Sequence, residues 1–117
     1  MPLPSRKTRA RRSVRRVDQI SRWLIKAGVR DGELRARVAV DLSDALDAAD
    51  HIRFHLSALV RTDPTTKVGS DRAITHTTAI SVWAFSELRY HVLRLQRSWD
   101  SKIEPAVAKL PRKRPAA

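Results

Sequence analysis

From residue 13 to residue 27, Val14, Val17, Ile20, Leu24 and Ala27 recur at steps of three and four, the spacing that gathers apolar side chains on one face of an α-helix. Gly28 follows where a left-handed cap would end that helix. Asp31 is placed to cap a second helix running to about Thr62, in which Val38, Leu42, Ala45, Ala49, Ile52, Leu56 and Leu59 alternate by four and three without a break. A seam of that kind over about 32 residues predicts a rod about 48 Å long. Beyond Pro64 and Gly69, Ser70 or Asp71 caps a third helix with the same alternation, through Ile74, Thr78, Ser81, Phe85, Leu88, Val92, Leu95 and Trp99.

Two rods joined by a short loop fold back on each other, and the shorter first helix packs across them. The expected fold is therefore all-α: a three-helix unit made of a long antiparallel helical hairpin plus a shorter basic N-terminal helix. Gly and Pro are few and stand at the expected boundaries, giving a basic N-terminal arm over 1–12, a helical bundle over 13–104 and a basic Pro-containing tail over 105–117. A chain of 117 residues has room for one such unit. Ala45 and Ala49 suit close helix approach, whereas Thr78 and Ser81 depart from a pure coiled-coil seam.

Charge sharpens this picture, because its distribution is lopsided. Ten of the 24 Lys and Arg residues fall in the first thirty positions against a single acid, Asp18, whereas Asp41, Asp44, Asp47 and Asp50 form an acidic stripe on the second helix. The net charge of +12 is thus carried by the two ends, which points to a polyanionic partner, nucleic acid above all. The stripe can neutralise part of the basic first helix or a basic end folded against it, meet a basic neighbouring subunit, or stand as a solvated helix face.

Chemistry narrows the reading by what it excludes. The chain has no Cys, hence no disulfide framework and no thiolate site. The stretch from Ala73 to Ser86 is broken by His and Thr well short of the ~20 apolar residues of a membrane span, and the basic start lacks the apolar run of a signal peptide. A soluble, cytoplasmic protein without membrane contact is expected. Asp44, Asp47, His51 and His55 line one flank of the second helix, yet neither H-E-x-x-H nor paired E-x-x-H occurs, so a salt-bridged flank with Asp47 against His51 is expected rather than a metal site. A Gly-rich phosphate loop and a nucleophile elbow are also missing. The chain reads as non-catalytic, with no cofactor.

The first helix carries the stronger binding signal. Arg12, Arg15, Arg16, Arg22 and Lys26 lie opposite Val17, Ile20 and Leu24, with Trp23 at the margin, so one face serves the core and the other phosphate. Arg9 and Arg11 extend that face into the arm. On the third helix Trp83, Tyr90 and Arg97 recur every seven residues with Arg94 one turn beyond Tyr90, a pattern that could stack bases but is read first as core, with Trp83 and Tyr90 giving the first helix something to pack on. The expected nucleic-acid-binding residues are Arg9, Arg11, Arg12, Arg15, Arg16, Arg22, Lys26, Arg94 and Arg97.

Two resemblances bear on function. The run Ile25-Lys26-Ala27-Gly28-Val29-Arg30-Asp31-Gly32-Glu33-Leu34 resembles the turn of helix-turn-helix repressors, which implies that Arg30, Glu33, Arg35 and Arg37 face a major groove. In size, helix arrangement and charge the whole chain resembles the small subunit of multi-subunit CRISPR effector complexes. That family implies copies packed side by side with a basic surface on guide RNA, its target or the displaced strand. The leading expectation is a nucleic-acid-binding subunit of a ribonucleoprotein assembly, contacting RNA or DNA backbone and other protein subunits, copies of itself included. The alternatives are a DNA-binding regulator of plasmid or phage type and a helical protein-protein adaptor.

Overall fold

The structure, a computed structural model, describes residues 5–111. It is built of α1 (Arg6–Lys26), α2 (Gly32–Val60), α3 (Lys67–Ala79), α4 (Phe85–Ser98) and α5 (Glu104–Ala108), and the described residues form no strand. Two π-helical turns, Ile80–Ala84 and Trp99–Ile103, join α3, α4 and α5 into one continuous third rod. The all-α expectation of a long hairpin with a third, N-terminal helix holds. α2 is the central element, packed along α4 and crossed by α1, in a molecule of 62 × 37 × 25 Å.

Local chemistry explains where the helices begin and end. Ser5 accepts from the Thr8 backbone N–H at 3.2 Å and caps α1, so 6–12 is helical and not a separate arm. That segment is too polar to show an apolar period, and only its cap announces it. Gly28, at φ +91°, turns the chain after α1, and Asp31 caps α2 by accepting from Glu33 N and Leu34 N at 3.0 and 3.2 Å. The third rod starts earlier than Ser70 or Asp71. Thr66 caps it, accepting from Gly69 N at 2.9 Å, and the tail expected from 105 is helical to Ala108. Residues 1–4 and 112–117, with most of the basic C-terminal run, lie outside the described residues.

The apolar core is small and sits at one end. Leu24, Val29, Leu34, Val38 and Ile103 form it, with Ile20, Leu95 and Ala106 against them, where the α1–α2 turn meets the end of the third rod. Further along the hairpin, Ala45, Ala48 and Ala84 are buried, and their small side chains let α2 and the third rod approach closely.

The third rod is rotated away from the seam expected of it. Ile80, Ala84, His91 and Ile103 are buried, whereas Ile74, Phe85 and Val92 face solvent. Ile74 precedes the first π turn and Phe85 and Val92 follow it, so these members of the expected seam lie together on the outer side, one position over from the buried line of Ile80, Ala84 and His91. What lies inside is decided by α2, whose buried Asp41 requires a polar partner opposite. His91 supplies it.

Leu24→Ala is expected to lower unfolding free energy by about 2–5 kcal/mol in urea denaturation, since the side chain is fully buried in this core. Gly69→Ala is expected to destabilise as well, because a Cβ there would overlap the Asp63 carbonyl and the Thr66 hydroxyl that close the α2–α3 loop. Both effects should appear as lower denaturation midpoints with unchanged slope.

Candidate nucleic-acid interface

α1 lies across α2 with its polar inner edge held by ion pairs. Arg16 donates to Asp47 Oδ1 at 3.0 Å and to the Ser43 carbonyl at 3.3 Å, and approaches Asp50 at 3.5 Å. Half the acidic stripe thus neutralises α1 from within the chain. Ser13 meets Ser43 hydroxyl to hydroxyl at 3.2 Å, and Arg9 Nη1 donates to His51 Nε2 at 3.3 Å. Asp47 therefore answers Arg16, not His51.

The outer face of α1 is different. Arg12, Arg15, Gln19, Trp23 and Lys26 follow one another at steps of three and four along one exposed stripe, with Arg11 and Arg22 beside it. Arg22 pairs with Asp18 at 3.1 Å on the surface, a contact of small energetic weight. Arg11, Arg12, Arg15 and Lys26 have no ion-pair partner among the described residues. This row extends over about 21 Å of helix.

On the third rod the two expected cations have different fates. Arg94 Nε donates to the buried Asp41 at 3.2 Å, its Nη1 donates to Tyr90 Oη at 2.7 Å, and its guanidinium lies 5.3 Å from the Tyr90 ring centre. It serves the core. Arg97 is exposed without an ion pair among the described residues. Trp83 and Tyr90, expected either in the core or stacking on bases, are both about half exposed, Trp83 standing edge-on to His51 at 4.7 Å.

Behind this surface lies a polar interior that sequence spacing did not reveal. His91, 8% exposed, faces Asp41 Oδ1 at 2.9 Å through Nδ1, and Glu87 at 3.2 Å and Asp44 at 3.8 Å through Nε2. Burial raises the Asp44 carboxyl above its ordinary value, with His91 acting in the opposite direction. Toward the α2–α3 loop, His55 and His76 share a 2.9 Å hydrogen bond between their Nδ1 atoms, and His51 lies over His55. Burial pushes His51 and His55 below the usual imidazole range. Arg9 adds to this for His51, and His76 with His51 adds for His55. No group of three or more His, Asp or Glu among the described residues is arranged to hold a metal ion.

The turn from α1 to α2 closes on itself. Arg35 Nη1 donates to the carbonyls of Val29 and Arg30 at 2.9 and 2.8 Å, and α2 continues for 29 residues. The guanidinium that a helix-turn-helix would turn toward bases is engaged in the turn itself.

Sequence spacing also missed a pairing of tryptophans. Trp23 on α1 and Trp99 at the start of the second π turn lie with ring centres 6.5 Å apart and planes within 6° of parallel. Together with Gln19, Ile20, Leu24, Val38 and Leu42 they line a cavity of about 330 Å³. The one signal for it in the chain was a shared pattern, Trp followed three residues later by Lys, at 23–26 and 99–102.

Acid is expected to weaken the fold through the histidines. The folded-state values of His51 and His55 lie below the unfolded 6.5, so their contribution is complete above that pH and is lost as pH falls through the folded values. The thermal midpoint should fall by a few degrees from pH 7.5 to 5, and H51Q/H55Q should flatten that slope. Asp44 works in the opposite sense, which makes the double variant the measurement that isolates the histidines.

Compared with known protein families, characterised proteins and solved structures, the chain matches none.

Proposed function

We propose that this protein is a non-catalytic nucleic-acid-binding subunit of a ribonucleoprotein assembly, holding backbone phosphates along the outer face of α1. The observation that carries the proposal is the exposed row Arg12, Arg15 and Lys26, with Arg11 beside it, free of ion pairs among the described residues while the neighbouring Arg16 is neutralised. Acids that could quench the row are turned elsewhere: Asp41 to His91 and Arg94, Asp47 and Asp50 to Arg16. The stripe is cationic because the fold has sorted its charges. Binding then follows from counterion release and tolerates sequence, with base pairing or another subunit supplying specificity.

The assembly part of the proposal is supported by the apolar side chains that the rotated third rod leaves outside. Ile74, Val82, Phe85 and Val92 are exposed, as is Val60 on α2. Large apolar side chains exposed along one rod suit a protein neighbour. The side-by-side copies implied by the resemblance to CRISPR small subunits need a basic face toward nucleic acid and an acidic face toward a neighbour; α1 offers the first, while Asp47 and Asp50 of the acidic stripe are engaged by Arg16 within the chain.

A salt titration with oligonucleotides of several sequences tests the proposal. The logarithm of the binding constant is expected to fall linearly with the logarithm of salt concentration, at similar affinity for every sequence. R12A/R15A should reduce the slope for single strands by about 1.4, roughly 0.7 for each phosphate that is no longer neutralised. Failure to form any complex at low salt, or a preference of orders of magnitude for one duplex sequence, would overturn it.

A further inference from the structure

Arg6 and Arg9 of α1 share a cleft of about 460 Å³ with Asp44 of α2 and Glu87 of α4. Its size is in the range, about 300–1,000 Å³, of sites for small molecules. Opposite charges line it, yet no ion pair among the described residues joins the two guanidinium groups to the two carboxylates. Arg9 donates instead to His51 Nε2 at 3.3 Å, while Asp44 and Glu87 are approached by His91. Arg6 and Arg9 are one helical turn apart, where like charges repel unless an anion lies between them.

Each set of charges is held from behind and left open in front. His91 takes Oδ2 of Asp44 and Oε2 of Glu87, so Oδ1 of the first and Oε1 of the second have no hydrogen bond among the described residues. Trp83, 45% exposed, adds a flat apolar wall, and it belongs to the first π turn, an irregularity that recurs at functional sites. A ligand that completes this cleft carries an anion at one end and a flat group rich in N–H donors at the other. A nucleotide is built that way. Of the four common RNA bases only guanine sets two N–H donors side by side, its ring imino and its exocyclic amino group, the pair that a carboxylate accepts in parallel. Adenine and cytosine place an acceptor nitrogen beside their amino group, and uracil flanks its imino group with two carbonyls, all of which a carboxylate repels.

We propose that this cleft is a site for a free guanine mononucleotide, with its phosphate on Arg6 and Arg9, its base along Trp83 and its two N–H donors on the carboxylates of Asp44 and Glu87. The cleft lies on the inner edge of α1, whereas Arg12, Arg15 and Lys26 lie on the outer stripe. The inference therefore goes beyond the phosphate-binding row and does not depend on it.

Calorimetric titration of the full chain tests this with guanosine monophosphate (GMP), adenosine monophosphate (AMP), guanosine and inorganic phosphate. GMP is expected to bind roughly tenfold or more tightly than each of the others. E87Q and D44N should bring GMP toward the affinity of AMP while leaving AMP unchanged, which also shows that the variants fold. R6A/R9A, on exposed turns at the start of α1, should bring GMP down to the affinity of guanosine, and R12A/R15A should leave GMP binding as it was. Equal affinity for GMP, AMP and inorganic phosphate would overturn the proposal, as would failure of GMP to bind at all, whatever oligonucleotides do. Loss of GMP binding in R12A/R15A would overturn its placement in this cleft. Binding of a guanine-containing oligonucleotide, with R12A/R15A in place, more tightly than GMP would overturn the free mononucleotide as occupant.

Discussion

Asp41 is a carboxylate almost wholly removed from solvent in the middle of α2, and the third rod is arranged around it. His91 and Arg94 reach it from α4, one through an imidazole nitrogen and one through a guanidinium, and satisfying it rotates α4 so that His91 faces inward and Val92 outward. A buried ion pair of this kind adds little net stability over apolar residues in the same place, but leaving its carboxylate alone is costly. The rotation that gives up apolar burial at Ile74, Phe85 and Val92 is therefore the one that keeps Asp41 paired. One property of this protein descends from it: an apolar outer surface on the third rod.

The same logic sorts the arginines. Arg15 and Arg16 are adjacent and chemically identical, yet Arg16 points to Asp47 and Asp50 while Arg15 faces solvent. A basic helix becomes a binding surface only after its internal partners have been subtracted. Arg9, Arg16 and Arg94 are accounted for in this way, which leaves a narrower and more continuous row than composition alone suggests.

How much of the fold and the site is legible in the sequence depends on the range of the interactions. Gly28 and Asp31 act on their own neighbours, and both are readable from position and type. The three helices are readable from apolar period, except where α1 begins, since Arg6 to Arg12 has no such period and only Ser5 marks its start. The facing side of the third rod is not readable. Its heptad of Ile74, Phe85, Leu88 and Val92 is real, but it lies one position away from the line of Ala84 and His91, which faces a buried carboxylate on another helix. The pairing of Trp23 with Trp99 is hidden for a related reason: it joins residues from opposite ends of the chain, and only the repeated Trp-x-x-Lys hints that they belong together. The histidines pose a milder version of the problem. His51 and His55 are visible as a flank of α2, but their partners Arg9 and His76 come from other helices.

The core's location at one end gives the molecule a gradient of cohesion. Leu24, Val38 and Ile103 knit together the α1–α2 turn and the end of the third rod, whereas the opposite end of the hairpin is closed by ring contacts among histidines and a short capped loop. Local opening events should begin at that distal end and die out toward the tryptophans, so backbone amides around Thr62 would exchange their hydrogens for deuterium well before those around Leu24. The paired tryptophans thus stand in the part of the chain that comes apart last.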